Sequence, residues 1–233
     1  MTTTRFRDAR DVKAWNDAMV AKYDLDRFHE HPSPFVRFVE SRRVAWIFAL
    51  LAARASDRVL EVGCGAGHLL ARLPAGRAVG IDLAESLLAR TTARLHGRAA
   101  LAQGDAGALP FAPASFDRVY CSEVLEHLVD PGAAVAEIRR VLKPGGVAVL
   151  SVPNEALINR LKALVRRLGI WRLVMRGAQY DMPERMDDEW HLHAFDLPAL
   201  RALVPPTLAV TRVVGVPSRW LALRWVMACE ARP

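Results

Sequence analysis

Glu61-Val62-Gly63-Cys64-Gly65-Ala66-Gly67 is the stretch on which the fold turns. Ahead of it, Arg58-Val59-Leu60-Glu61-Val62 is a short apolar run that predicts a strand, and after it His68 to Leu73 predicts the start of a helix. Glycine at 63, 65 and 67 lets the backbone turn tightly and brings main-chain N–H groups within reach of a ligand at a helix N-terminus. A turn of this kind fits a nucleotide-like ligand, with NAD, FAD and adenosylmethionine all open.

Working outward, the same rhythm repeats. Ala78-Val79-Gly80-Ile81-Asp82 predicts a second strand, followed by a helix through Leu95, and Ala99 to Gln103 predicts a third strand. Phe116 to Ser122 predicts a fourth strand, Ala133 to Leu142 a helix, and Val147 to Val152 a fifth strand after Lys143-Pro144-Gly145-Gly146. Strands alternating with helices imply a parallel sheet covered on both faces. Two later apolar runs, Thr207 to Val216 and Trp220 to Cys229, are joined by a link too short for a parallel crossover, so they predict an antiparallel closing pair. The expected fold is therefore α/β, a doubly wound, mostly parallel seven-stranded sheet, in a single domain over 1–233. Within it we expect an N-terminal helical cap (1–55), a ligand-binding core (56–153), an inserted helical lid (154–195) and a C-terminal helix with closing strands (196–233).

Two acidic residues sharpen the ligand. Asp82 ends the second strand, where a carboxylate accepts from ribose hydroxyls, and Asp105 follows the third, where adenine would lie. A short-chain dehydrogenase needs lysine four residues after its tyrosine. Tyr23, Tyr120 and Tyr180 are followed at that spacing by Arg27, Val124 and Glu184, which excludes that reading.

With these residues in hand, positions 57 to 150 resemble the core of the class I S-adenosylmethionine-dependent methyltransferases, nearest the quinone-biosynthesis and small-molecule group. The resemblance is carried by Val59 to Gly67, Gly80-Ile81-Asp82, Gly104-Asp105-Ala106, Leu109-Pro110-Phe111, Phe116-Asp117, Ser122 to Leu128 and Val141 to Gly146. It implies S-adenosyl-L-methionine as cofactor. Gly63, Gly65 and Gly67 would line its methionine and ribose, with Glu61 supporting the loop and Cys64 packed within it. Asp82 would hold the ribose hydroxyls with Leu83 beside the adenine, Asp105 and Ala106 would meet the adenine edge, and Ser122 and Glu123 would lie at the methionine end. Arg42 or Arg43 would meet the methionine carboxylate.

Methyl transfer from a sulfonium demands proximity and alignment above all, and a hydroxyl acceptor adds the need for a base, for which histidine is best suited. The candidates are His127, on the segment after the fourth strand, and His191 and His193, spaced to point the same way from an extended segment. His191, His193 and the neighbouring Asp187, Asp188 and Glu189 match no metal-site spacing, so no metal is expected. The reading is transfer to a small or lipophilic acceptor, with oxygen favoured over nitrogen or carbon. The rival is a non-catalytic cofactor-binding sensor or partner subunit.

Composition sets the remaining expectations. The 233 residues are 52% hydrophobic and 24% charged, as in a globular domain, with a net charge of +7. Three cysteines without a disulfide pattern and an N-terminus without a signal-peptide core suggest a reducing cytoplasm. From Asn154 to Arg176, Leu157, Leu161, Leu164, Leu168, Trp171 and Met175 recur at helical spacing among arginines and a lysine, and no acid follows Glu155. Such a helix suits a lid over the acceptor that also touches an anionic membrane at its inner face. Nucleic acid is disfavoured, since no added binding module is visible. The acceptor's identity and the oligomeric state have no signature in the sequence.

Overall fold

The protein, as a computed structural model, is described over residues 6, 8–23, 33–73, 77–169 and 190–232. Among the described residues, two helices precede the sheet. In α1 (Ala9–Lys22), Asp8 caps the first turn by accepting from the N–H groups of Arg10 and Asp11. In α2 (Pro34–Leu51), proline fits the first turn, and Val39, Val44, Ile47 and Leu51 are buried against the sheet. Each such side chain contributes roughly 1.5–3 kcal/mol by leaving water.

The strands are β1 (Val59–Val62), β2 (Ala78–Asp82), β3 (Ala100–Gln103), β4 (Phe116–Ser122), β5 (Leu142–Pro153), β6 (Leu208–Pro217) and β7 (Ala222–Ala231). They form one seven-stranded sheet in the order β3-β2-β1-β4-β5-β7-β6. β1 to β5 pair in parallel, while β7 lies antiparallel between β5 and β6, so the two late apolar runs do form a hairpin. α3 (Glu85–Leu95), α4 (Pro131–Val141), α5 (Glu155–Arg167) and α6 (Leu197–Ala202) connect them. One core packs Ile138, Val141 and Leu200 against the sheet, and a second packs Ile47, Leu51 and Leu95, which places apolar layers on both faces. The order reverses between β1 and β4, and the carboxyl ends of those strands open a crevice there.

Three local expectations are corrected. The segment after the glycine loop makes only a 3-10 turn, Leu70–Arg72, and not a helix start at His68. Leu73 precedes Pro74, which disfavours helical geometry, and it is extended at φ −73°, ψ 149°. β5 begins at Leu142 instead of Val147, because Leu142 already pairs with Phe116. α4 begins two residues earlier than expected, at Pro131, where Asp130 caps it by accepting from the Ala133 N–H at 2.9 Å.

The lid expectation is described only in part. Asn154 caps α5, and on that helix Leu157, Ile158, Leu161 and Val165 are half-buried while Leu164 and Leu168 are exposed, so the apolar stripe faces inward along only part of its width. Trp171, Arg172, Met175, Arg176, Asp187, Asp188 and Glu189 lie outside the described residues, as do Phe28, His29 and His31 nearer the N-terminus.

Candidate active site

A cavity of about 930 Å³ occupies the crevice. Its walls include every residue expected at the cofactor site except Gly67, at the end of the loop, and Arg42, since of the two candidate arginines it is Arg43 that lines the cavity.

The loop is held from within. The N–H groups of Gly63 and Cys64 both donate to the Ile81 carbonyl (2.8 and 2.9 Å), that of Gly65 donates to Asp82 Oδ2 (2.8 Å), and that of Gly67 returns to Cys64 (2.9 Å). Thr91 of α3 closes the ring by donating its hydroxyl to the Gly65 carbonyl at 2.6 Å. The main-chain donors expected to face a ligand are therefore largely occupied, and the glycines matter for shape. Gly63 has φ +71°, and a Cβ there would stand 2.3 Å from Val124, so no side chain fits. Gly65 has φ +52°, and a Cβ there would meet nothing within 4 Å. It presents bare backbone to an open cradle in the cavity wall, as close approach of a ligand requires.

Asp82 accepts from Gly65 through one oxygen and from the Ala84 N–H (2.9 Å) through the other, leaving lone pairs on both. Burial pushes its carboxyl above the ordinary range, opposed by those N–H groups. Beneath the loop, Tyr120 donates its hydroxyl to Glu61 at 2.8 Å, and burial pushes Glu61 up to about 8. Burial drives the Cys64 thiol far upward, which makes it an inert packed group. Asp105 accepts from the Gly107 N–H (2.8 Å), and Gln103 donates its amide to the Leu83 carbonyl (3.0 Å), fixing the adjoining wall.

At the far end the wall is made of charged side chains. Arg43, 3% exposed, sends Nε and Nη2 to Glu40 (3.0 and 2.7 Å) and Nη1 to the Ser122 hydroxyl. Ser122 meets Ser151 (3.1 Å), and Ser151 donates to Glu123 (3.0 Å). Glu123 takes the left-handed φ +54° and pairs with Arg224 Nε at 2.6 Å. A non-glycine residue held there is strained, and strain of this kind persists where surroundings fix it, as the Ser151 and Arg224 contacts do here.

The histidines divide. His127 and His191 lie together, ring centroids 4.8 Å apart, and both line the cavity. His127 Nδ1 faces the Trp190 carbonyl at 3.2 Å, and burial, with His191 close by, lowers its pKa to about 3, so the ring is neutral. His191 Nδ1 is bonded to Glu155, the first residue of α5, and both side chains are almost fully buried. His193 faces the Val129 carbonyl at 3.4 Å and is not among the cavity's lining residues. The Glu126 carbonyl accepts from the N–H groups of Leu192 (2.8 Å) and His193 (3.2 Å), which pins the 190–193 segment onto the turn after β4. Trp190 then lies between Tyr23 at the end of α1, on which it stacks (5.4 Å), and His127, to which it is tilted by 37° (4.8 Å).

Glu126 is 1% exposed, and its Oε2 has no hydrogen-bond partner among the described residues. Burial, then the neighbouring Glu123, holds its carboxyl well above the usual range. Among the described residues, Glu126, His127 and His191 each offer one ligand atom, all within 4.8 Å of one another.

Glu155, Arg224, Thr91, Ser151 and Trp190 were not singled out from the sequence. Arg224 had a visible signal, the one charge inside the apolar run Trp220 to Cys229. Glu155 had a misleading one, since an acid in a helix's first turn reads as a dipole partner.

Comparison with known proteins agrees with this geometry. A family model described as a methyltransferase domain matches residues 60–150. The chain is 36% identical over 194 residues to the ubiquinone biosynthesis O-methyltransferase of Bordetella bronchiseptica, covering 78% of this chain and 79% of that one. It is 41% identical over 131 residues to the enzyme of the same name from Methylococcus capsulatus, covering 53% and 54%. Among solved structures, a Pyrococcus horikoshii protein superposes with a TM-score of 0.62 at 18% identity, covering 90% of this chain and 97% of that one, which is a likeness of fold.

Proposed function

Because the chain belongs to the class I S-adenosylmethionine-dependent methyltransferases, we propose that it methylates a hydroxyl group of a lipophilic acceptor, with His191 as the base. The observation that carries this reading is the buried His191–Glu155 pair on the cavity wall, beside a His127 that stays neutral.

Bound adenosylmethionine supplies an activated methyl group on its sulfonium. The chain's residues do the rest. Asp82 keeps lone pairs for the ribose hydroxyls, Leu83, Asp105 and Ala106 border the adenine, and Gly63, Gly65 and Cys64 give the close wall. Ser122, Glu123 and Arg43 frame the methionine end. His191 donates its Nδ1 hydrogen to Glu155, which leaves Nε2 as the acceptor for a hydroxyl proton. His191 Nε2 would take the hydroxyl proton as the acceptor oxygen receives that methyl group. Glu155 then faces an imidazolium, which its charge stabilises. The apolar lining from Val36, Ile158, Leu161, Val165, Leu221 and Leu223 suits a lipophilic body behind the hydroxyl. The O-methyltransferase names of the relatives support oxygen as the target.

The test is His191→Gln and Glu155→Gln, assayed with phenolic and aliphatic alcohols of graded chain length. Turnover falls by about 10²–10⁴ in the first and by a smaller factor in the second, with cofactor affinity within about twofold of the parent. Unchanged turnover in His191→Gln overturns the proposal.

A second reading rests on Glu126 Oε2, unpartnered among the described residues. With His127 and His191 it forms a nitrogen and oxygen donor set suited to a divalent cation, which would supply positive charge beside the acceptor oxygen. Glu126→Gln separates the two. With histidine as base, the amide replaces a carboxyl whose charged form burial already disfavours, and turnover stays within about twofold. With a cation, both this variant and a chelator lower turnover by about 10² or more.

A further inference from the structure

On the α2 and α5 sides of the cavity, the acids among the described residues are buried and most of the bases are exposed. Glu155 is the acid of α5, and it is buried against His191, while Arg160, Arg166 and Arg167 on the same helix are exposed. Glu40 of α2 is buried on Arg43, and between Asp196 and Glu230 the sequence has no acidic residue. Exposed apolar side chains share this side. Phe35, 52% exposed, lines the mouth itself, and Phe38 stands one turn further along α2. Leu164 and Leu168, 51% and 60% exposed, flank the lining residue Val165 on α5. Trp220, 82% exposed, precedes the lining residue Leu221, with the Arg219 guanidinium 4.4 Å above its ring.

A rim of leucine, phenylalanine and tryptophan interleaved with arginine, whose carboxylates among the described residues of α2 and α5, Glu40 and Glu155, are buried on partners, is the composition of a surface that lies in the headgroup region of an anionic bilayer. Apolar side chains enter the acyl boundary, and guanidinium groups stay with the phosphates. Among the described residues no helix is long and apolar enough to cross a membrane, so the contact is peripheral.

We infer that this rim, formed by the start of α2, the outer face of α5 and the β6–β7 turn, docks the protein on an anionic lipid surface with the cavity mouth facing the bilayer. A lipophilic acceptor then reaches the site from the membrane without crossing water. The docking surface is independent of which atom is methylated, and its test involves no turnover.

The protein without acceptor is sedimented with vesicles of phosphatidylcholine alone and of phosphatidylcholine with about one third phosphatidylglycerol. Binding to the anionic vesicles is stronger by about tenfold or more and weakens in high salt. The triple variant Arg160→Gln, Arg166→Gln, Arg167→Gln loses that preference, and Trp220→Ala with Leu168→Ser lowers binding several-fold. Circular dichroism confirms that both variants fold. Equal binding to the two vesicle types, or parent-like binding by the triple variant, overturns the inference. So does a solution dimer that Trp220→Ala dissociates, because the rim would then be covered by a second copy.

Discussion

At the Gly63–Gly67 end, the cavity wall is backbone, folded on itself by hydrogen bonds to Ile81, Asp82 and Thr91, which are close neighbours in the sheet and its first crossover. At the His127 end the wall is side chain, drawn from α1, α2, the turn after β4, α5, the 190–193 segment and β7. The first wall follows from local pattern: glycine at fixed steps, an acid at a strand's end. The second follows from which distant segments happen to meet, and its charges are legible only once paired. On the proposed reading, ligand recognition belongs to the first end and reaction chemistry to the second, so substitutions at the two should separate binding from turnover.

The largest effect is expected at Asp82. Asp82→Ala removes the acceptor for two N–H groups and the lone pairs facing the ribose, and cofactor affinity measured by calorimetry falls by about 10² or more, roughly 3 kcal/mol. An affinity within threefold of the parent would break the comparison at its first term.

Glu61 sharpens it through pH. Its folded-state pKa of about 8 lies above the ordinary 4.5, so the folded protein holds a proton that the unfolded chain releases. That contribution is complete below pH 4.5 and is lost as the pH rises toward 8, where it amounts to a few kcal/mol. Glu61→Gln keeps a neutral group and flattens this decline, so the variant melts higher than the parent at pH 8 without cofactor. Parallel melting curves across that range would show that the loop's support is not a titrating one.

The smallest effect belongs to the opposite end. Trp190→Leu removes the rings that stack on Tyr23 and lie tilted against His127 but keeps the carbonyl that faces His127. Turnover drops by roughly tenfold, and cofactor affinity stays within about twofold. Equal losses in both would mean that the two ends are coupled through α1.

The same contrast explains what the sequence made legible. The strand alternation placed all seven strands and the antiparallel hairpin, because the period of burial in a covered sheet is written locally. Asp82 and the glycines stood out for a related reason, since turn geometry restricts residue type. The 3-10 turn at Leu70–Arg72 was missed because one proline downstream outweighed a helical composition. The histidines were visible as residue types, but nothing local separates His193 from His191. The difference lies in Glu155, 36 positions away on another helix. Arg224 and Ser151 likewise acquire meaning only through Glu123.

The position of β7 has a consequence for how the molecule is made. It is the latest of the strands in chain order, yet it lies between β5 and β6, and it carries the arginine that pairs with Glu123. During synthesis β6 emerges before the strand that must separate it from β5, so the right half of the sheet closes only after Ala222–Ala231 has left the ribosome. Until then Glu123 lacks the guanidinium that pairs with it in the finished fold. The glycine-loop half can be complete on a nascent chain while the far wall still lacks Arg224, so a polypeptide released early would have most of its sheet but an open cavity wall where β7 belongs.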